Sequence, residues 1–133
     1  MNVIINTLVL PGGELPTQGR SGDVGFDACV RAIVSPDMDK KKPYMRQTLW
    51  NFYDDPPEKL ARNAVLANGQ HRYLLQPNEG LCLGLGIVFG GNSSDWYAEL
   101  APRSSSGFQR LGIKNYLDGV PIDPNFRSEP IAF

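Results

Sequence analysis

Apolar positions in this chain fall in short runs of strand length, each closed by a turn signal. Val3–Leu10 is the first, and Pro11-Gly12-Gly13 ends it. Within Phe26–Val34 apolar and polar residues alternate. Phe26, Ala28, Val30 and Ala32 share one face; Asp27, Cys29 and Arg31 share the other, which Ile33 closes on an apolar note. That period of two predicts a half-buried strand. Leu81–Phe89 (LCLGLGIVF) is apolar throughout, which predicts a strand covered on both faces. Its two glycines predict a bulge or a close approach of another backbone. Trp96–Ala101, Gly119–Ile122 and Ile131–Phe133 complete the predicted strands. Short strands with glycine- and proline-rich turns predict an all-β fold, an antiparallel sandwich or jelly roll.

The pattern changes between Ser35 and Gln70. The charged stretch Asp37–Lys42 comes first, then the aromatic-rich Leu49-Trp50-Asn51-Phe52-Tyr53. Pro57–Ala67 is the one stretch with helical features: proline and glutamate in its first turn, and Asn68-Gly69 as a C-terminal stop. A run of about 35 residues with little strand pattern is too long for an ordinary connection in a compact domain. The expectation is a single domain over residues 1–133, with residues 35–70 as a mixed insertion carrying a short helix. The insertion's aromatics either pack it onto the body or bind a partner, and packing is expected because an exposed aromatic cluster is a liability.

Composition narrows the function classes. Fourteen glycines and 11 prolines make almost a fifth of the 133 residues, against about 12% in average usage. So many breakers exclude a long coiled coil. A formal net charge of −1 gives no basic field for non-specific nucleic-acid binding. No apolar run approaches the roughly 20 residues that span a bilayer, and MNVIINTLVLPGG lacks the cationic start and long apolar centre of a secretion signal. Cys29 and Cys82 lie in apolar stretches and read as reduced core residues of a cytoplasmic protein. One histidine, His71, and no CxxC argue against zinc.

The chemistry sits in the last third. Ala101-Pro102-Arg103-Ser104-Ser105-Ser106-Gly107 sets a fixed cation beside three hydroxyls and a glycine. Those groups suit a phosphate chain, and they equally make an ordinary serine-rich turn. Gly119-Val120-Pro121-Ile122-Asp123-Pro124-Asn125-Phe126-Arg127 ends an apolar stretch on an aspartate, a tight turn and an aromatic. Such an aspartate can orient a water while the ring stacks on a ligand; the alternative is an Asp-Pro hairpin turn with an anchoring Phe.

Together these segments resemble a family. Ser21-Gly22-Asp23-Val24-Gly25-Phe26-Asp27, Tyr97-Ala98-Glu99-Leu100-Ala101-Pro102-Arg103-Ser104, and Gly119 through Glu129 resemble, in order, the first three motifs of the trimeric dUTPases. Gln76-Pro77-Asn78-Glu79-Gly80 resembles the lead-in to the second. The likeness spans residues 3–34 and 74–133 and leaves the 35–70 insertion outside. It implies a jelly-roll or β-barrel subunit of a homotrimer that hydrolyses dUTP to dUMP and pyrophosphate with Mg²⁺ on the triphosphate. By position it implies Asp123 at the sugar and the attacking water, and Phe126 stacked on the deoxyribose, where the family usually has tyrosine. It implies Arg103, Ser104 and Ser105 at the phosphates, Asp27 at metal-bound waters, and Asn115 and Arg127 near the site. Pro121 is an extra residue in the third motif, and Ser128 stands where the family usually has glycine. The family's fourth motif and C-terminal arm have no counterpart before Phe133. Two other readings stand beside this one. The Arg103-Ser104-Ser105 and Ile122-Asp123-Pro124 turns also resemble those of dCTP deaminases, and a non-catalytic module of the same fold would bind another protein through Leu49–Tyr53.

Overall fold

The structure is a computed structural model, described for residues 2–102 and 113–133. Its regular elements are almost all antiparallel strands: β1 (Ile5–Val9), β2 (Ala32–Met38), β3 (Arg46–Trp50), β4 (Ala64–Ala67), β5 (Gln70–Tyr73), β6 (Leu83–Gly84), β7 (Ile87–Gly91) and β8 (Ile131–Ala132). One short helix, α1 (Glu58–Ala61), lies between β3 and β4. Strand β1 pairs with β7, from Ile5 opposite Gly91 to Val9 opposite Ile87. The main sheet has the order β3-β2-β6-β8, and β4 and β5 form a separate hairpin. The all-β expectation holds.

Several elements follow from local chemistry. After β1 the chain turns at Pro11-Gly12, with Gly12 at φ +80°, and the Gly13 amide donates to the Leu10 carbonyl at 2.8 Å. The Leu81–Phe89 run divides into β6 and β7, and residues 84–88 are all buried. Its glycines mark the close approaches expected of them. A Cβ on Gly13 would lie 2.1 Å from the Gly86 carbonyl oxygen, and one on Gly84 would lie 2.6 Å from Glu129 Oε2. Strand β2 tolerates Pro36 because β6 pairs only with Ala32 and Ile33, and the β3 register is irregular between Val34 and Met38.

Other expectations are corrected. Residues 57–67 do not form one helix. The helix stops at Ala61 after a single turn, and Ala64–Ala67 is a strand. Asn68 and Gly69, at φ +50° and +73°, are the two central residues of a β4–β5 hairpin turn rather than a helix stop. Asn-Gly is the preferred pair for a two-residue hairpin whose central residues both have positive φ, and Val65 and Leu66 favour strand over helix. The 35–70 segment also contributes the end of β2 and all of β3 to the main sheet, so strand pattern is present where little was expected. The Phe26–Val34 strand begins only at Ala32, and burial does not alternate: residues 28–30 are exposed and residues 31–34 are all buried. Phe26 is 63% exposed, whereas Arg31 is buried. Trp96–Ala101 and Gly119–Ile122 meet through isolated bridges, Ala98 with Ile122 and Leu100 with Asp118, rather than a ladder. Pro121 has no amide to donate, and Gly119 sits at φ +74°.

The cysteines are free thiols and neither is a core residue: Cys29 is exposed and Cys82 half-buried. Buried apolar side chains come mainly from β2, β3 and the Leu85–Val88 stretch, with Ala32, Ile33, Val34, Trp50 and Ile87 among them. Of the aromatic segment, Trp50 is buried and its ring lies 4.7 Å from Phe52 and 5.6 Å from His71, while Tyr53 is exposed. Two of the three aromatics therefore pack, as expected. No described helix is long and apolar enough to cross a membrane.

Candidate functional site

The segment from Asn115 to Phe133 folds back on itself around one cleft. Asn115 closes its first turn. The side-chain oxygen accepts from the Leu117 amide at 3.1 Å and the Phe133 amide at 3.0 Å, and Nδ2 donates to Asp118 at 2.6 Å. Next, the Ile122 and Ala98 amides each donate to the other residue's carbonyl, at 2.6 and 3.1 Å, and the Gly119 amide donates to the Leu100 carbonyl at 2.9 Å. These bonds seat residues 118–122 against residues 98–100. A tight turn follows, in which the Phe126 amide donates to the Asp123 carbonyl at 2.9 Å. The Asp-Pro turn therefore exists, and its geometry also delivers the two side chains the sequence singled out.

Asp123 and Phe126 both line a cleft of about 240 Å³. Most of its wall is apolar, from Leu100, Leu117, Val120, Pro121 and Ile122 on one part to Pro130 and Ile131 on another. Pro121 is thus part of the wall. The Asp123 side chain is exposed and makes no hydrogen bond to another described residue. A carboxylate in that state keeps its lone pairs available for a water or a hydroxyl.

The remaining site residues are distributed differently. Asn115 and Arg127 do not line the cleft. Arg127 Nη1 donates to the Phe89 carbonyl at 2.9 Å, which ties the turn to β7. Asp27 is half-buried, and its backbone exchanges hydrogen bonds with Thr17 at 2.7 and 3.2 Å, also away from this cleft. Arg103, Ser104 and Ser105 lie outside the described residues. Among the described residues no three His, Cys, Asp or Glu side chains converge to hold a metal. Mg²⁺ is commonly bound through one or two carboxylates with phosphate oxygens and waters, a mode that a carboxylate such as Asp27 can serve.

Two groups important to the site were not legible in the sequence. The first is a buried ion pair between Arg31 and Glu129, residues 98 positions apart. Arg31 Nε and Nη2 each donate to Glu129 at 2.7 Å, a bidentate arrangement. Nη1 reaches Thr48 Oγ1 at 2.7 Å and Nη2 also reaches the Arg46 carbonyl at 3.0 Å. Glu129, fully buried, further accepts from the Arg46 amide at 2.9 Å and the Gly86 amide at 2.6 Å. Every oxygen of this carboxylate is satisfied, as a buried charge requires. The network fixes the end of the third motif to β2, β3 and the β6–β7 link. The second is Arg46, which lines the cleft with its guanidinium carbon 5.9 Å from the centre of the Phe126 ring.

Both thiols hold their proton more firmly than an ordinary cysteine. Burial pushes the Cys82 thiol up, and for Cys29 partial burial, followed by a hydrogen bond to Glu14, does the same. No family model matches the sequence, and no curated protein or solved structure matches it at a significant level.

Proposed function

We propose that this chain is a dUTPase-like subunit of jelly-roll type that hydrolyses dUTP to dUMP and pyrophosphate. The observation that supports this reading most is the meeting of Asp123 and Phe126 in one cleft with apolar walls. A nucleoside has a flat ring and a sugar, which suit such walls, and its reacting end needs one positioned acceptor. In the proposal, Phe126 packs on the deoxyribose and Asp123 accepts the proton of the attacking water. Arg103, Ser104 and Ser105 meet the triphosphate. Magnesium arrives on that triphosphate, neutralises its charge, and has Asp27 as its protein contact through water. Asn115 and Arg127 act indirectly, by holding the turns that carry the cleft. The resemblance further assigns the site to a homotrimer, in which neighbouring copies complete it.

The test is product analysis with Mg²⁺ and dUTP or dCTP. Pyrophosphate from dUTP supports the proposal. Ammonia from dCTP replaces it with a deaminase, and release of neither from either nucleotide replaces it with a binding module. Within an active preparation, Asp123→Asn keeps the side-chain shape but removes the acceptor. Turnover is expected to fall by about 10²–10⁴-fold while a non-hydrolysable dUTP analogue still binds. Full activity in that variant overturns the role given to Asp123.

A further inference from the structure

Arg46 belongs to the 35–70 segment, outside every motif of the resemblance, yet it lines the cleft. It is held unusually firmly for a side chain that is only half-buried. Its Nε donates to the Glu129 carbonyl at 3.1 Å, and Nη1 donates to the Pro36 carbonyl. The backbone at the same residue is fixed by the Arg46 amide donating to Glu129 Oε1 at 2.9 Å. The guanidinium therefore stands in a set place beside the Phe126 ring, within the range of a cation–π contact. Its remaining nitrogen, Nη2, has no hydrogen-bond partner among the described residues.

The cleft's described lining has two charged side chains, Arg46 and Asp123, and is otherwise apolar. Apolar walls around about 240 Å³ suit the neutral part of a nucleotide better than a hydrated triphosphate. Arginine has donors and no acceptor. The one neutral feature of a uracil nucleotide that offers strong acceptors to such a group is the pair of base carbonyls. Arg127, the cation named by the motif, is directed to the Phe89 carbonyl instead.

We infer that Arg46 is a specificity-determining residue that donates from Nη2 to a carbonyl oxygen of a pyrimidine base held in this cleft. The inference rests on the nucleotide reading above and extends it to recognition of the base. A pre-formed donor discriminates against a base lacking the matching acceptor once the bound base excludes water from it, because the donor is then left unpaired.

The experiment measures equilibrium binding of dUMP and of two analogues, the pyrimidin-2-one deoxynucleotide without the 4-oxygen and the pyrimidin-4-one deoxynucleotide without the 2-oxygen. One analogue is expected to bind the unaltered chain about 10- to 100-fold more weakly than dUMP, the span of one hydrogen bond to a charged group. Arg46→Met is expected to close that gap by weakening dUMP and the analogue that keeps the contacted oxygen, while the analogue without it binds as before. Arg46→Lys, which keeps a cation beside Phe126 but loses the fixed fork, narrows the gap and serves where the methionine variant does not fold. Equal binding of all three ligands to the unaltered chain overturns the inference. So does a gap that survives Arg46→Met, or an equal loss for all three ligands, which assigns Arg46 to the phosphate. Binding of none of them to the unaltered chain removes the nucleotide reading itself, and this inference with it.

Discussion

Glu129 shows how much one side chain can organise. It sits at zero exposure and takes hydrogen bonds from a guanidinium and two backbone amides. Removing one partner of such a pair leaves the other charge buried and uncompensated, which costs about 3–5 kcal/mol. Glu129→Gln and Arg31→Met are each expected to lose stability on that scale in denaturant unfolding. Because both variants break the same interaction, the double variant should lose clearly less than the sum of the two. Simple additivity in that cycle means the pair does not act as a unit. A second residue-level effect concerns Tyr73, whose hydroxyl donates to Glu79 and receives Asn63 Nδ2 at 3.3 Å. The Glu79 hydrogen bond, named first among the causes, raises the phenol above its ordinary value of 10.0. The raised group stabilises the fold fully below that value, and its contribution disappears as pH rises through the higher folded value. Stability should therefore fall above about pH 10, and Tyr73→Phe should flatten that part of the profile. An unchanged profile in the variant assigns the loss to other groups.

At the scale of elements, the β4–β5 hairpin is the most local structure in the chain. Its four pairs run from Ala64 opposite Tyr73 to Ala67 opposite Gln70, and its turn is Asn68-Gly69. A Cβ at Gly69 would meet nothing within 4 Å, so a substitution there is penalised by its φ of +73° alone. Gly69→Ala is expected to cost about 1–2 kcal/mol, seen as a drop of a few degrees in Tm. No change in Tm would mean that the turn relaxes without loss. By contrast, α1 is a single turn with no side-chain cap, following Pro57 in an extended conformation. A nucleus that short is unfavourable on its own, and its neighbours hold it in place.

At the scale of the whole molecule, much apolar surface of the described residues is left exposed. Ile5, Leu8 and Val9 of β1 are each more than 40% exposed, and Val24 is fully exposed. Among the described residues strand β1 pairs with β7 alone, and no described strand covers its other edge. Further copies of the chain would cover such surface, in line with the proposed homotrimer. Light scattering at tens of micromolar is expected to give three times 14.7 kDa, and a monomer mass overturns the assembly.

Turns and uninterrupted apolar runs were readable in the sequence because their causes are local. Pro11-Gly12-Gly13, β1, the glycines of Leu81–Phe89 and the final strand all stand where residue type demands them. Asn68-Gly69 was equally visible, but its meaning depended on whether Ala64–Ala67 continued a helix or paired with Gln70–Tyr73. That choice is made by the partner strand. For the site, Asp123 and Phe126 were legible from one contiguous motif in which they stand three positions apart, and the turn that joins them is local. Arg31 and Arg46 were not. Arg31 lies in a period-two pattern that placed it on the polar face, and only a carboxylate 98 residues later makes its burial favourable. Arg46 reaches the cleft because β3 pairs with β2 and Glu129 holds both its backbone and its side chain. Sequence by itself determined the turn after β1 and the places of β1, the Leu81–Phe89 run and the final strand, since those depend on neighbours along the chain, whereas β3, β4 and β5 depended on their partners. Tertiary structure alone decided which charges are buried and which face the cleft, because desolvation and pairing depend on groups brought together from distant positions.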